Sequence, residues 1–186
     1  MGNTQMGTTI ERAGHSSIPQ DVAHNYILVT RVNDRPGAVD RVVGVMRRRR
    51  ANMQTLVMSQ GIMPQVVRIS ITVNDSEVGI HHLVEQLRKA VDVQEVVYLT
   101  AEQAITRELA LIKVNKDAAN FNDIIACGLL FGAHTVDVTA ETVTLEIAGS
   151  IENVEKLIER LQEYGIREIA RSGHVAIARG NDQSEG

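Results

Sequence analysis

The 186-residue sequence predicts an α+β protein made of two tandem ferredoxin-like sandwiches, each running β-α-β-β-α-β. Two observations carry that reading. Short β-branched runs alternate with stretches of helical spacing, and the same order of elements occurs twice in succession.

Taken in order, Tyr26 to Val32 is a β-branched run bounded by a turn, which reads as a strand. Val39, Val42, Val43 and Met46 then fall at i, i+3, i+4 and i+7, the spacing of one helix face. Met53 to Ser59 and Val66 to Val73 read as strands separated by Gly61 and Pro64. Ser76 is the expected N-cap of a second helix that places Ile80, Leu83, Val84 and Leu87 on one face. Val93 to Leu99 closes the unit as a strand.

The order then recurs. Leu109 to Asn115 echoes the first strand, and a helix carries Phe121, Ile124, Ile125 and Leu129. Strands over Thr135 to Val138 and Thr142 to Ala148 precede a helix carrying Val154, Leu157, Ile158 and Leu161. Glu168 to Ala170 and Val175 to Ala178 together supply one last strand. Each unit is expected to present a four-stranded antiparallel sheet with both helices on one face. The other face needs cover, for which the partner unit is the natural candidate. The expected division is a flexible N-terminal extension over 1–24, domains over 25–100 and 105–180, and a tail over 181–186.

Composition narrows the function. A chain with 44% hydrophobic and 23% charged residues is not wholly disordered, and 3% aromatics imply an aliphatic core. No apolar run approaches the ~18–20 residues of a membrane span. A net charge of −4 argues against nucleic acid, as does the third strand, Gln65 to Ile71, which has no aromatic for stacking bases. The single Cys127 permits no internal disulfide or cysteine-based zinc site, and the first loop lacks the Cys-x-x-Cys of a metal carrier. Residues 1–24 contain no apolar secretory block, so a cytoplasmic location is expected.

Other conspicuous residues have plain structural readings. Arg47 to Arg50 complement the dipole at the end of the first helix. His81 and His82 are adjacent, so they point about 100° apart on a helix and suit the surface better than a shared metal. Cys127 reads as a small core filler. No Ser/His/Asp set or carboxylate pair stands out, so no catalysis, cofactor or metal is expected in this chain.

The most informative segment is Asn33-Asp34-Arg35-Pro36-Gly37-Ala38, between the first strand and the first helix. Proline is pre-organised for a first turn, and glycine lets a ligand approach the backbone closely. Free N–H groups at a helix start suit a carboxylate or phosphate. Asp34 adds a negative charge, so the pair suits a zwitterion: carboxylate on the amides, ammonium near Asp34. A simple capped turn has the same sequence. The matching loop of the second unit, Asn115-Lys116-Asp117-Ala118-Ala119-Asn120, has neither proline nor glycine. Division of labour between the units or drift between repeats would each produce that difference.

The first unit resembles an ACT domain, a regulatory module that senses amino acids. More broadly, residues 24–180 resemble the regulatory (small) subunit of acetolactate synthase, or acetohydroxyacid synthase. The resemblance rests on Asp34-Arg35-Pro36-Gly37-Ala38-Val39, Arg41-Val42-Val43-Gly44 and Asn52. Glu108 to Val114, Val136-Asp137-Val138-Thr139, and Gly165 to Gly173 extend it through the second unit. It implies a non-catalytic partner of a large subunit that holds thiamine diphosphate, Mg2+ and FAD. It further implies activation of that subunit, and feedback inhibition by valine, leucine or isoleucine bound between the ACT domains of a homodimer. Carried over, Asp34 contacts the effector, Gly37 and Ala38 receive its carboxylate, and Asn52 is a second polar contact. The alternative is a free-standing ACT-type amino-acid sensor acting on another partner. One departure stands out: the family usually carries glycine where this chain has Arg50, two residues before Asn52. A left-handed cap costs a non-glycine residue roughly 1 kcal/mol, so this turn is expected to be built differently.

Overall fold

Two antiparallel sheets with the same strand order organise the chain, in a computed structural model that describes residues 22–180. The expected extension up to residue 21 and the expected tail over 181–186 lie outside the described residues. The first unit comprises β1 (His24–Asn33), α1 (Ala38–Arg48), β2 (Asn52–Gln60), β3 (Val66–Asp75), α2 (Glu77–Arg88) and β4 (Val93–Leu99). The second comprises β5 (Ala104–Asn115), α3 (Phe121–Leu130), β6 (His134–Val138), β7 (Thr142–Gly149), α4 (Ile151–Leu161), β8 (Ile166–Arg171) and β9 (Val175–Ala178). The sheet orders are β2-β3-β1-β4 and β6-β7-β5-β8, the ferredoxin-like arrangement in both cases.

Alternation along each strand separates two faces. Leu28, Val32, Ile69, Ile71 and Val73 point to the helices and form one core with Val42, Met46, Leu83 and Leu87. Ala110, Ile112, Val114, Val143, Leu145 and Ile147 do the same in the second unit, against Val154, Leu157 and Leu161. Ser76 caps α2, its hydroxyl accepting from the Gly79 amide at 3.1 Å, and Ser150 caps α4 in the same way.

Two helix faces differ in detail from the sequence pattern. In α1 the fully buried stripe is Ala38, Val42, Val45 and Met46, while Val43 is half-buried. That set keeps i, i+4, i+7, i+8 spacing and turns the helix slightly from the expected face. In α3 Leu129 is exposed and Gly128 takes the inward position. Leu145 fills that space: a Cβ at Gly128 would lie 3.1 Å from its Cδ1.

The expected last strand is two strands. Arg171 of β8 pairs with Ala110, and Val175 of β9 pairs with Arg107, so four steps on one side oppose three on β5. This bulge at Ser172-Gly173-His174 turns β9 and the first half of β5 away from their own sheet. They lie instead on the open face of the first sheet, where Ala104 and Ala176 pack with Ile27, Val29 and Leu99. Arg68 of β3 adds a hydrogen bond to the Ala176 carbonyl. The second sheet's own open face, carrying Leu109 and Leu111, stays partly exposed.

The turn after α1 corrects the expectation raised by Arg50. Arg50 adopts the left-handed conformation itself, with φ 53°. Its amide donates to the Arg47 carbonyl and that of Ala51 to the Met46 carbonyl, both at 3.0 Å. These two bonds define a Schellman cap, with Ala51 packed against the apolar cluster that contains Met46. The bonds hold the left-handed residue in place, so arginine accepts the strain where glycine would avoid it. Arg50→Gly is therefore expected to stabilise the chain by about 1 kcal/mol, and Arg50→Val to destabilise it, in urea unfolding followed by circular dichroism.

Candidate functional site

The bend between β1 and α1 is held from three sides. The Asn33 amide donates to the Asp92 carbonyl at 2.9 Å, and Asn33 Oδ1 accepts from Gln94 Nε2 at 2.6 Å. The Asp34 amide donates to the carbonyl of Gln65 at 2.7 Å. Gln65 is itself left-handed, with φ 61°, a conformation that persists in a non-glycine residue only when its surroundings enforce it. Gly37 follows at φ 83° as the N-cap residue of α1, and no side chain caps the helix. Ala38 already donates to the Arg35 carbonyl at 3.1 Å, whereas the amides of Gly37, Val39 and Asp40 have no partner among the described residues.

A guanidinium completes this concavity. Arg41 contacts the carboxylate of Asp92, whose side chain is 6% exposed. The same guanidinium lies over Gly37, where a Cβ would be 3.3 Å from Nη1. The bend thus offers free amides and a fixed positive charge, with the exposed Asp34 carboxylate beside them. That set can hold a small zwitterion by its acid end and its ammonium end at once.

Of the four residues expected at the site, Asp34, Gly37 and Ala38 come together and Asn52 does not. Asn33 pairs with Val66, while Asn52 pairs with Asn74, eight positions further along β3. At about 3.3 Å per residue, Asn52 sits roughly 26 Å from the bend within one chain. The α1 helix spans that distance, its start at the bend and its end leading to Asn52.

The matching loop of the second unit closes on itself. Asp117 Oδ1 accepts from the amides of Ala119 and Asn120, and Asn120 Oδ1 from that of Asp117, all at 2.8 Å. Among the described residues no three His, Cys, Asp or Glu side chains gather as a metal site. No helix there is long and apolar enough to cross a membrane.

A second polar cluster lies where the units meet, beside a cleft of about 530 Å³. Glu108 is buried, and Arg171 grips its carboxylate with Nε at 2.7 Å and Nη2 at 2.6 Å. Arg171 Nη1 reaches Glu155 of α4 at 2.7 Å. Buried His174 places Nδ1 3.0 Å from Thr72 Oγ1 of β3 and Nε2 3.8 Å from Glu108 Oε2. Sequence reasoning missed this cluster, as it missed Arg41, Asp92 and Gln65. The signal was available for Glu108, an acid on the inward phase set by Ala110, Ile112 and Val114, where burial demands a cation.

Comparison with known proteins bears on both units. A family model described as the small subunit of acetolactate synthase matches residues 107–180, and an ACT domain model matches residues 34–96. The acetolactate synthase small subunit of Mycolicibacterium smegmatis is 38% identical over 149 residues, covering 80% of this chain and 88% of that relative. The chain belongs to the acetolactate synthase small-subunit family. The Bacillus subtilis member is 34% identical over 158 residues, covering 84% of this chain and 92% of its own length. The crystal structure of the small subunit from Thermotoga maritima superposes with a TM-score of 0.79 at 29% identity, covering 85% of this chain and 99% of that one. Family membership therefore spans both sandwiches and the joint between them.

The joint yields two expected outcomes. Arg171→Met leaves Glu108 buried without its cation and should cost about 3 kcal/mol in urea unfolding, whereas Glu155→Gln at the exposed end should cost far less. Burial holds the His174 imidazole below its ordinary value, with Arg171 opposing its charge and Glu108, Glu155 and Glu152 favouring it. The unfolded chain then takes up that proton first as pH falls below about 6.5, and stability declines. The urea midpoint is expected to drop more between pH 7.5 and 5.5 in the wild type than in His174→Gln.

Proposed function

We propose that this chain is the regulatory subunit of an acetolactate synthase, raising the activity of a catalytic large subunit and making it sensitive to valine, leucine or isoleucine. The large subunit, with thiamine diphosphate, Mg2+ and FAD, carries the chemistry that joins two 2-oxo acids. The observation that carries the effector half of this reading is the uncapped bend over Gly37, in contrast to the second-unit loop, which caps itself. The amides of the bend and Arg41 take the effector carboxylate, and Asp34 takes its ammonium.

The distance to Asn52 favours a site shared by two copies. β2 is an edge strand with Met53, Leu56 and Met58 partly exposed along it, which suits pairing with a second chain. Antiparallel pairing of two β2 edges puts the start of one strand beside the end of the other. Gln60, at that end, pairs with Val67 next to the bend, so Asn52 of one copy faces the bend of its partner. An effector held there binds one arrangement of the dimer better than another, which is what regulation requires. A coupling of ~1–3 kcal/mol corresponds to a roughly 5- to 150-fold difference in effector affinity between the two arrangements.

The test is reconstitution with the catalytic subunit, assaying acetolactate formation with and without valine. Gly37→Asp is the decisive variant, because its carboxylate would pair with Arg41 and occupy the place of the ligand's own. It is expected to weaken valine binding at least tenfold in calorimetry and to abolish inhibition, with activation within about twofold of wild type. A fully valine-sensitive Gly37→Asp complex would overturn the site, and a chain that neither binds nor activates the catalytic subunit would overturn the function.

A further inference from the structure

The bulge between β8 and β9 is fitted to the first sheet as closely as to its own. Gly173 sits at φ 76°, and a Cβ there would lie 2.9 Å from Val57 Cγ2 and 3.4 Å from Thr55 Cβ, both on β2. The next residue, His174, enters a run of polar contacts. Thr55 donates to Thr72 Oγ1 at 2.9 Å, and Thr72 Oγ1 in turn shares a hydrogen bond with His174 Nδ1 at 3.0 Å. Its Nε2 faces Glu108 Oε2 at 3.8 Å, beyond hydrogen-bond range, so the two are linked by charge and packing. Glu108 is gripped by Arg171, which continues to Glu155 on α4. Polar side chains therefore connect the edge strand of the first sheet to the helix layer of the second, across a joint that is otherwise closed by apolar packing and the hydrogen bond from Arg68 to the Ala176 carbonyl.

We infer that this chain, Thr55-Thr72-His174-Glu108-Arg171-Glu155, carries effector occupancy from β2 to the second unit, with His174 as the positioning residue at its centre. The inference rests on the reading that an effector binds at the bend and is shared across β2. Under that reading β2 is the strand an effector-bound dimer repositions. Gly173 leaves no slack between β2 and the bulge, so a shift of Thr55 reaches Thr72 and His174 directly. His174 then holds or releases its orientation toward Glu108. Because Glu108 is buried, Arg171 must follow it, and Arg171 is the side chain that grips α4. The contact set has two arrangements rather than a continuum, since each hydroxyl has one hydrogen to give.

Two measurements on the full chain decide this. Hydrogen exchange is followed at the β2 amides 52–60 in wild type, Glu155→Gln, His174→Gln and the double variant. Glu155→Gln is expected to change β2 exchange at least threefold in the wild-type background and not in the His174→Gln background. The second measurement uses complexes with the catalytic subunit. His174→Gln and Thr72→Val, the latter keeping side-chain volume, are expected to bind valine within about twofold of wild type yet retain less than half of its inhibition. The binding readout separates lost coupling from a damaged site. Unchanged β2 exchange in Glu155→Gln, or full inhibition in both variants, would overturn the inference. A wild-type chain that gives no binding heat with valine would instead defeat the effector reading, and the exchange cycle alone would then decide whether the joint is coupled.

Discussion

The arrangement of the two halves depends on one buried carboxylate. Glu108 lies on the inward phase of β5 at the point where that strand changes from pairing with β9 to pairing with β7. An ionised acid in such a place is tolerated only with a cation held on it, and Arg171 supplies a two-point grip from the end of β8. That grip fixes where β8 stops. The bulge that follows must turn immediately, and the only residue with room to do so against β2 is Gly173. From that turn come the placement of β9, the cover over Ile27, Val29 and Leu99, and the burial of His174.

The two units show how the same framework is made receptive or inert. Both begin with a strand, a bend and a helix, and both sheets have the same order. In the first, Gly37 enters the helix left-handed with no side chain able to reach back, and the amides face outward uncapped. In the second, Asp117 and Asn120 supply their own oxygen atoms to the loop amides. The difference is one of local geometry: Asp117 turns back onto the amides two and three residues ahead, whereas Asp34, three residues before Gly37, stays exposed and leaves that amide open. Arg41 adds what the second unit lacks, a guanidinium anchored on a buried acid and laid over the bend.

Much of the fold was legible in the sequence because its elements are strongly periodic. The α4 stripe of Val154, Leu157, Ile158 and Leu161 is buried as its spacing implies, and Ser76 caps α2 through the predicted hydroxyl. The resemblance of the chain to its family was legible too, since it was spread over both repeats. What was not legible depended on contacts distant in sequence. The stripe in α3 was misjudged at Leu129 because Leu145, on another element, packs tightly against the inward position 128, which glycine fills without a clash. The final strand was read as continuous because its bulge is enforced by β2, more than a hundred residues earlier. Arg50 was expected to reshape its turn, whereas two backbone bonds and an apolar contact hold it left-handed. The bend itself was found, but its counter-charge was not, since Arg41 and Asp92 are brought together only by the packing of α1 beside α2, which the turn holding Asp92 follows.

The shared strand has a consequence for how the chain is made. A ribosome releases the first sheet complete in its own strands, with one helix-covered face, while the β9 segment that finishes its other face is the last of the described strands to be synthesised. Until then Ile27, Val29 and Leu99 are open to water and to neighbouring nascent chains. The joint therefore forms late and closes contacts between residues far apart in sequence, which are slow to find each other. Shortening the chain by its final strand would strip the first half, not the second, of its apolar cover.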